Sequence, residues 1–93
     1  MDIVAVIHLL KGFDHWNEGF QSHTGVRSNI CDESRTTIMR DSADPDTVSV
    51  FLYDVQPEAM DAMMSDPAFQ QLSMDLGEEQ HTKRIYQLSE PDA

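Results

Sequence analysis

The chain has a single cysteine, Cys31, so it cannot close an intrachain disulfide, and nothing in it points to an oxidising compartment. Basic residues are scarce: six Lys and Arg face seventeen Asp and Glu, a net charge of −11 at pH 7. The longest basic run is Lys83-Arg84. Phosphate contacts dominate nucleic-acid affinity and need a basic patch, so no nucleic-acid partner is expected. An anionic membrane surface is disfavoured on the same ground. No run of 18 apolar residues is present, which leaves no candidate for a spanning helix. The amino terminus lacks a basic stretch, and its apolar run meets His8 too soon for a signal peptide. A cytoplasmic protein without a membrane partner is the expectation. Also missing are a His-Glu-x-x-His pair, a second Cys and a Gly-rich phosphate loop. Asp44-Pro45-Asp46 lacks the remaining ligands of a calcium loop. No metal and no cofactor is expected.

Ninety-three residues is the length of one domain, 1–93, and 40% of them are apolar. A domain this small buries only about 60–65% of its unfolded surface. Pairing with a second copy would bury more. Ile3 to Leu10 is rich in β-branched residues and reads as a strand, with Ile3, Ala5, Ile7 and Leu9 on one face and Val4, Val6 and His8 on the other. After Lys11-Gly12, the residues Phe13, Trp16, Phe20, His23 and Arg27 recur at steps of three and four, one side of a helix. That helix is expected from Phe13 to Ser22 or a little beyond. Gly19 inside it costs about 1 kcal/mol relative to Ala.

Arg35 to Arg40 and Thr47 to Val55 read as two strands around the turn-rich Asp41–Asp46. Pro57 opens a second helical region, which Ser65-Asp66-Pro67 interrupts. A further helical piece runs from Pro67 to Leu76, and Gly77 is a stop signal. His81 to Leu88 reads as the last strand, and 89–93 as a loose tail. The order β-α-β-β-α-β predicts an α+β fold of the ferredoxin-like type, a four-stranded antiparallel sheet with its helices on one face. The other face would carry Val, Phe and Tyr into water, which predicts a homodimer with the two sheets face to face.

The chain resembles the dimeric α+β barrel proteins, the group that includes antibiotic-biosynthesis monooxygenases, and is most similar to uncharacterised members. The resemblance spans roughly residues 2 to 88. It rests on Phe13-Asp14, Trp16, Phe20, His23 and Arg27 after the first strand, on Asp44-Pro45-Asp46 before Val48-Ser49-Val50, and on Ser65-Asp66-Pro67 within the second helical region. It implies a homodimeric barrel more strongly than any one reaction. Members include cofactor-independent monooxygenases, haem-degrading enzymes, polyketide cyclases and catabolic enzymes. The haem-degrading members use a His from the second helical region, which this chain lacks there.

Several residues could carry chemistry, and each has a plainer role. His8 could act as a general base, or simply end a strand. His23 and Arg27, spaced i and i+4, could hold an anionic substrate group, with His23 as base; the alternative is a helix-end pair satisfying terminal carbonyls. Trp16 and Phe20 could wall an apolar pocket or fill the core. Tyr53 could hydrogen-bond a substrate oxygen or pack at a dimer interface. His15 and His81 read as surface residues. Cys31 sits beside Asp32 and Glu33, whose charge opposes a thiolate. Met60, Met63, Met64 and Met74 read as adaptable packing. Two function classes follow: an enzyme on a small aromatic or enolisable substrate, of the cofactor-independent monooxygenase kind, and a non-catalytic dimeric ligand-binding or interaction module.

Overall fold

A computed structural model describes residues 1–91 of the chain. The tail expected at 89–93 therefore lies, at 92–93, outside the described residues. The elements in chain order are β1 (Asp2–His8), α1 (Phe13–Ser22), α2 (Thr24–Arg27), β2 (Thr37–Arg40), β3 (Thr47–Leu52), α3 (Pro57–Met64), α4 (Pro67–Asp75) and β4 (Arg84–Leu88). The strands form an open antiparallel sheet in the order β2-β3-β1-β4. This α+β arrangement is compatible with a ferredoxin-like fold.

Alternation along the strands sorts the two faces. Ile3, Ala5 and Ile7 of β1 and Val48, Val50 and Leu52 of β3 are buried, in one cluster with Trp16 of α1 and Met60 of α3. The helices therefore cover this face. Among the described residues no helix covers the opposite face: Val4, Val6 and Phe51 are half-buried, and Met39 and Tyr86 are 57% and 55% exposed.

Four strand boundaries differ from the sequence expectation, and at each a side chain takes a backbone partner. β1 ends at His8, whose N–H is bound by Thr82 Oγ1 rather than by a strand (3.1 Å). The Thr82 hydroxyl donates in turn to Glu79 O (2.6 Å) within a 3-10 turn over Gln80–Thr82, and β4 starts at Arg84 rather than His81. β2 starts at Thr37 because Asp32 caps a 3-10 turn over Glu33–Arg35. β3 stops at Leu52, before Asp54 turns left-handed at φ 54° with its N–H on Asp2 Oδ1 (3.0 Å).

The first helix ends at Ser22, and His23 (φ −109°, ψ 22°) separates it from the short α2. Gly19 O, the carbonyl that would accept the His23 N–H in a continuing helix, is taken by Ser22 Oγ (2.7 Å) and His23 Nδ1 (2.9 Å). The His23 N–H turns to Phe20 O instead (3.2 Å). Gly19 itself is a contact point. A Cβ there would stand 2.1 Å from Leu76 Cδ2, so the missing side chain lets the end of α4 close on α1.

The Gly77 stop is a Schellman motif: φ is +82°, Gly77 N–H donates to Met74 O (3.0 Å) and Glu78 N–H to Ser73 O (3.1 Å). Its backbone fits closely against Lys11, with the Lys11 nitrogen 3.0 Å from where a Cβ would stand. This turn delivers Glu78 beneath the first helix.

Candidate functional site

Between the sheet and the helices lies a cavity of about 110 Å³. Ala5, Ile7, Val50 and Leu52 form its sheet wall, and Trp16, Phe20, Met60, Met63 and Leu72 its helical wall. For scale, an apolar protein cavity of roughly 150 Å³ takes up benzene. A second, shallower hollow of about 360 Å³ shares Met64, Phe69, Ser73 and Lys83 with the first.

Of the residues singled out in the sequence, Trp16, Phe20, His23 and Arg27 come together on this cavity, whereas His8 and Tyr53 do not line it. Trp16 is fully buried and stacks on Phe20, ring centroids 4.7 Å apart. It is at once core and cavity wall.

Arg27 is only 7% exposed. Its Nε and Nη2 donate to Glu33 Oε2 and Oε1, each at 2.9 Å, and its Nη1 donates to Phe20 O. The guanidinium lies over the Phe20 ring, 3.5 Å from the centroid. A bidentate carboxylate pair of this kind occupies the fork that would otherwise read a ligand carboxylate. His23 is half-buried. Its Nδ1 lies 2.9 Å from Gly19 O and 3.0 Å from Ser22 Oγ; a carbonyl oxygen only accepts, so in the Gly19 contact Nδ1 donates, and a neutral imidazole of that tautomer carries its lone pair on Nε2.

His8 lies at the open end of the sheet. Its Nδ1 is 3.2 Å from Glu79 Oε2, and Glu79 Oε1 is 3.0 Å from His81 Nε2, so one carboxylate serves two imidazoles. Tyr53 is on the uncovered face under Arg35, whose guanidinium stands 4.3 Å from the ring centroid. His15 and His81 are exposed. Cys31 is buried, its thiol directed to Arg27 O at 3.4 Å. Burial first, and then the charges of Glu33 and Asp32, push that thiol above its ordinary pKa, against the opposing effects of Thr36 and Arg27. Among the described residues no group of three or more His, Cys, Asp or Glu is placed to hold a metal ion, and no helix is long and apolar enough to cross a membrane.

One constellation escaped the sequence reading. Glu78 accepts from three groups at the polar end of the cavity: Trp16 Nε1 on Oε2 (2.8 Å), and Ser73 Oγ and Lys83 Nζ (2.9 Å) on Oε1. Ser73 Oγ in turn accepts from Gln80 Nε2 (2.8 Å). The Glu78 and Lys83 side chains are 9% and 12% exposed. A faint signal was available. In a Schellman turn the residue after the glycine meets the one four positions before it, and that contact is usually apolar. Here the two are Glu78 and Ser73, a polar pair at an inward position. No family model, no curated protein and no solved structure matches the chain.

Proposed function

We propose that the protein is a homodimeric α+β barrel protein that binds a small, predominantly apolar molecule in the cavity between sheet and helices. The cavity itself carries this reading: almost all of its walls are hydrocarbon and aromatic, and a few polar groups gather at its edges. That is the usual make-up of a small-molecule site. The uncovered sheet face supports the dimer, because Val4, Phe51, Met39 and Tyr86 form an apolar surface that a second copy would cover. Two such sheets meeting face to face would make the barrel.

Trp16 is the chain's only tryptophan and lines the cavity, so its fluorescence reports occupancy directly. Titration with single-ring aromatic compounds should quench or shift the emission saturably. An emission unchanged by every one of them at millimolar concentration would remove the reading.

A catalytic role is the second reading, and the His23 Nδ1 contact to Gly19 O on the cavity favours it. An imidazole whose Nδ1–H is held by a carbonyl offers Nε2 as a base. On an enolisable substrate it would take the proton from a C–H group, and the carbanion would react with dioxygen. The net change converts a CH2 group and O2 into a carbonyl and water. Oxygen uptake with a bound substrate, lost in His23→Asn while binding persists, would favour the enzyme. Binding without uptake across the panel would leave a non-catalytic module.

A further inference from the structure

We propose that Lys83 is the polar anchor of the cavity, and that the ligand is a neutral, apolar carbonyl compound whose oxygen accepts from Lys83 Nζ. This rests on the reading of the cavity as a small-molecule site.

Most polar groups on the cavity are already committed. Arg27 spends three of its five N–H donors, Nε and Nη2 in the bidentate pair with Glu33 and Nη1 on Phe20 O, and its face lies on the Phe20 ring. His23 spends its Nδ1 on Gly19 O, which leaves a neutral imidazole no donor, only the Nε2 acceptor. Glu78 holds three donors, and the Ser73 hydroxyl both donates to Glu78 and accepts from Gln80. Lys83 differs. An ammonium has three N–H donors, and among the described residues Lys83 Nζ has one hydrogen-bond acceptor, Glu78 Oε1, with the Phe69 ring 5.4 Å away. Its side chain is only 12% exposed, so water has restricted access to the other two. It lines both the cavity and the adjoining hollow, at the seam between them.

Charge decides the ligand class. Lys83 and Glu78 are 2.9 Å apart and together carry no net charge, while the whole chain carries −11. A carboxylate placed there would approach Glu78 in a poorly solvated corner, where like charges repel strongly. A neutral oxygen acceptor avoids that cost and still gains a hydrogen bond from a charged donor, the stronger kind. A ketone or aldehyde with a hydrocarbon body meets both requirements. Its body would lie among Leu72, Met63 and the aromatic wall. At Arg27, the sequence-based expectation, the fork that would read an anionic ligand is already filled by Glu33, whose charge would repel a second carboxylate.

Three probes of similar size separate the possibilities: acetophenone, benzoate and ethylbenzene. Affinities are read from Trp16 fluorescence and from methionine methyl NMR shifts. Acetophenone should bind about tenfold or more tightly than ethylbenzene, the worth of one charge-assisted hydrogen bond, and benzoate should bind weakest. Lys83→Met should bring acetophenone down to the level of ethylbenzene and leave ethylbenzene unchanged. If Lys83→Met fails to fold, Glu78→Gln/Lys83→Met removes both charges together and serves the same comparison. The infrared stretch of carbonyl-labelled acetophenone tests the wild-type protein directly, and should fall below its frequency in hydrocarbon solvent. Benzoate binding best, equal affinities for acetophenone and ethylbenzene, or an unshifted stretch would each overturn the anchor while leaving the cavity reading intact. If none of the three probes binds, the cavity reading falls, and the anchor with it.

Discussion

Arg27 and Glu33 hold each other through two parallel hydrogen bonds of 2.9 Å, across the bend that leads from α2 to β2. The pair pins a connection that has little regular structure, and the Arg27 guanidinium also stacks on the Phe20 ring. Breaking a buried ion pair by removing one partner costs about 3–5 kcal/mol. Glu33 is 21% exposed, so water can partly resolvate it and the lower end applies. Arg27→Ala should therefore destabilise the fold by about 3 kcal/mol in urea titration. A change below about 0.5 kcal/mol, the scale of an ordinary surface substitution, would contradict this account of the pair.

Gly19 and Leu76 give a prediction of sign. Ala is favoured over Gly in a helix by about 1 kcal/mol, yet a Cβ at position 19 meets Leu76 Cδ2. Overpacking of this kind costs about 1–3 kcal/mol. Gly19→Ala alone should lower stability by about 1 kcal/mol. In a Leu76→Ala background, with the obstructing methyls gone, the same change should raise it. A double-mutant cycle by chemical denaturation measures both arms, and additive effects would rule out the contact as the reason for the glycine.

The proposed dimer is tested at Val4, which sits opposite Phe51 on one side and Tyr86 on the other. Light scattering should give twice the monomer mass of 10.6 kDa for the wild type. Val4→Asp places a charge amid the apolar face and should yield a folded monomer or an unfolded chain, since an unpaired charge cannot be covered cheaply. Val6 is a poorer site for this test, because its neighbours across the strands are Ser49 and Arg84. A wild type that stays monomeric at high micromolar concentration counts against the dimer.

Cys31 gives a pH dependence. Its pKa is raised above the ordinary 9.0, chiefly by burial. The folded state therefore holds the thiol proton more tightly than the unfolded chain does. The resulting stability is fully present below the unfolded pKa and is lost as pH rises through the folded one. Urea midpoints should fall above about pH 9, and the fall should be smaller in Cys31→Ala. Iodoacetamide should label the native thiol far more slowly than the denatured one. Identical slopes for both proteins, or equal labelling rates, would refute it.

Local patterns carried much of the fold. Alternation in Ile3–Leu9 and Val48–Leu52 assigned the strands and their buried faces, Pro57 and Pro67 opened the two later helices, and Gly77 closed the last one. These signals are short-range, because strand pleating, proline geometry and a left-handed glycine act within a few residues. Of the line Phe13, Trp16, Phe20, His23 and Arg27, the last four share one cavity and Phe13 does not line it, and the helix breaks within the line.

The tertiary structure decided what those residues do there. That Arg27 pairs with Glu33, that Gly19 makes room for Leu76, and that Trp16, Ser73 and Lys83 converge on Glu78 all depend on contacts between distant or differently oriented segments. Trp16 and Glu78 are 62 residues apart. Composition and periodicity report which face of an element turns inward; they do not report which polar groups meet once it has. A buried hydrogen-bond partner is set by the packing of whole elements to within a fraction of an ångström.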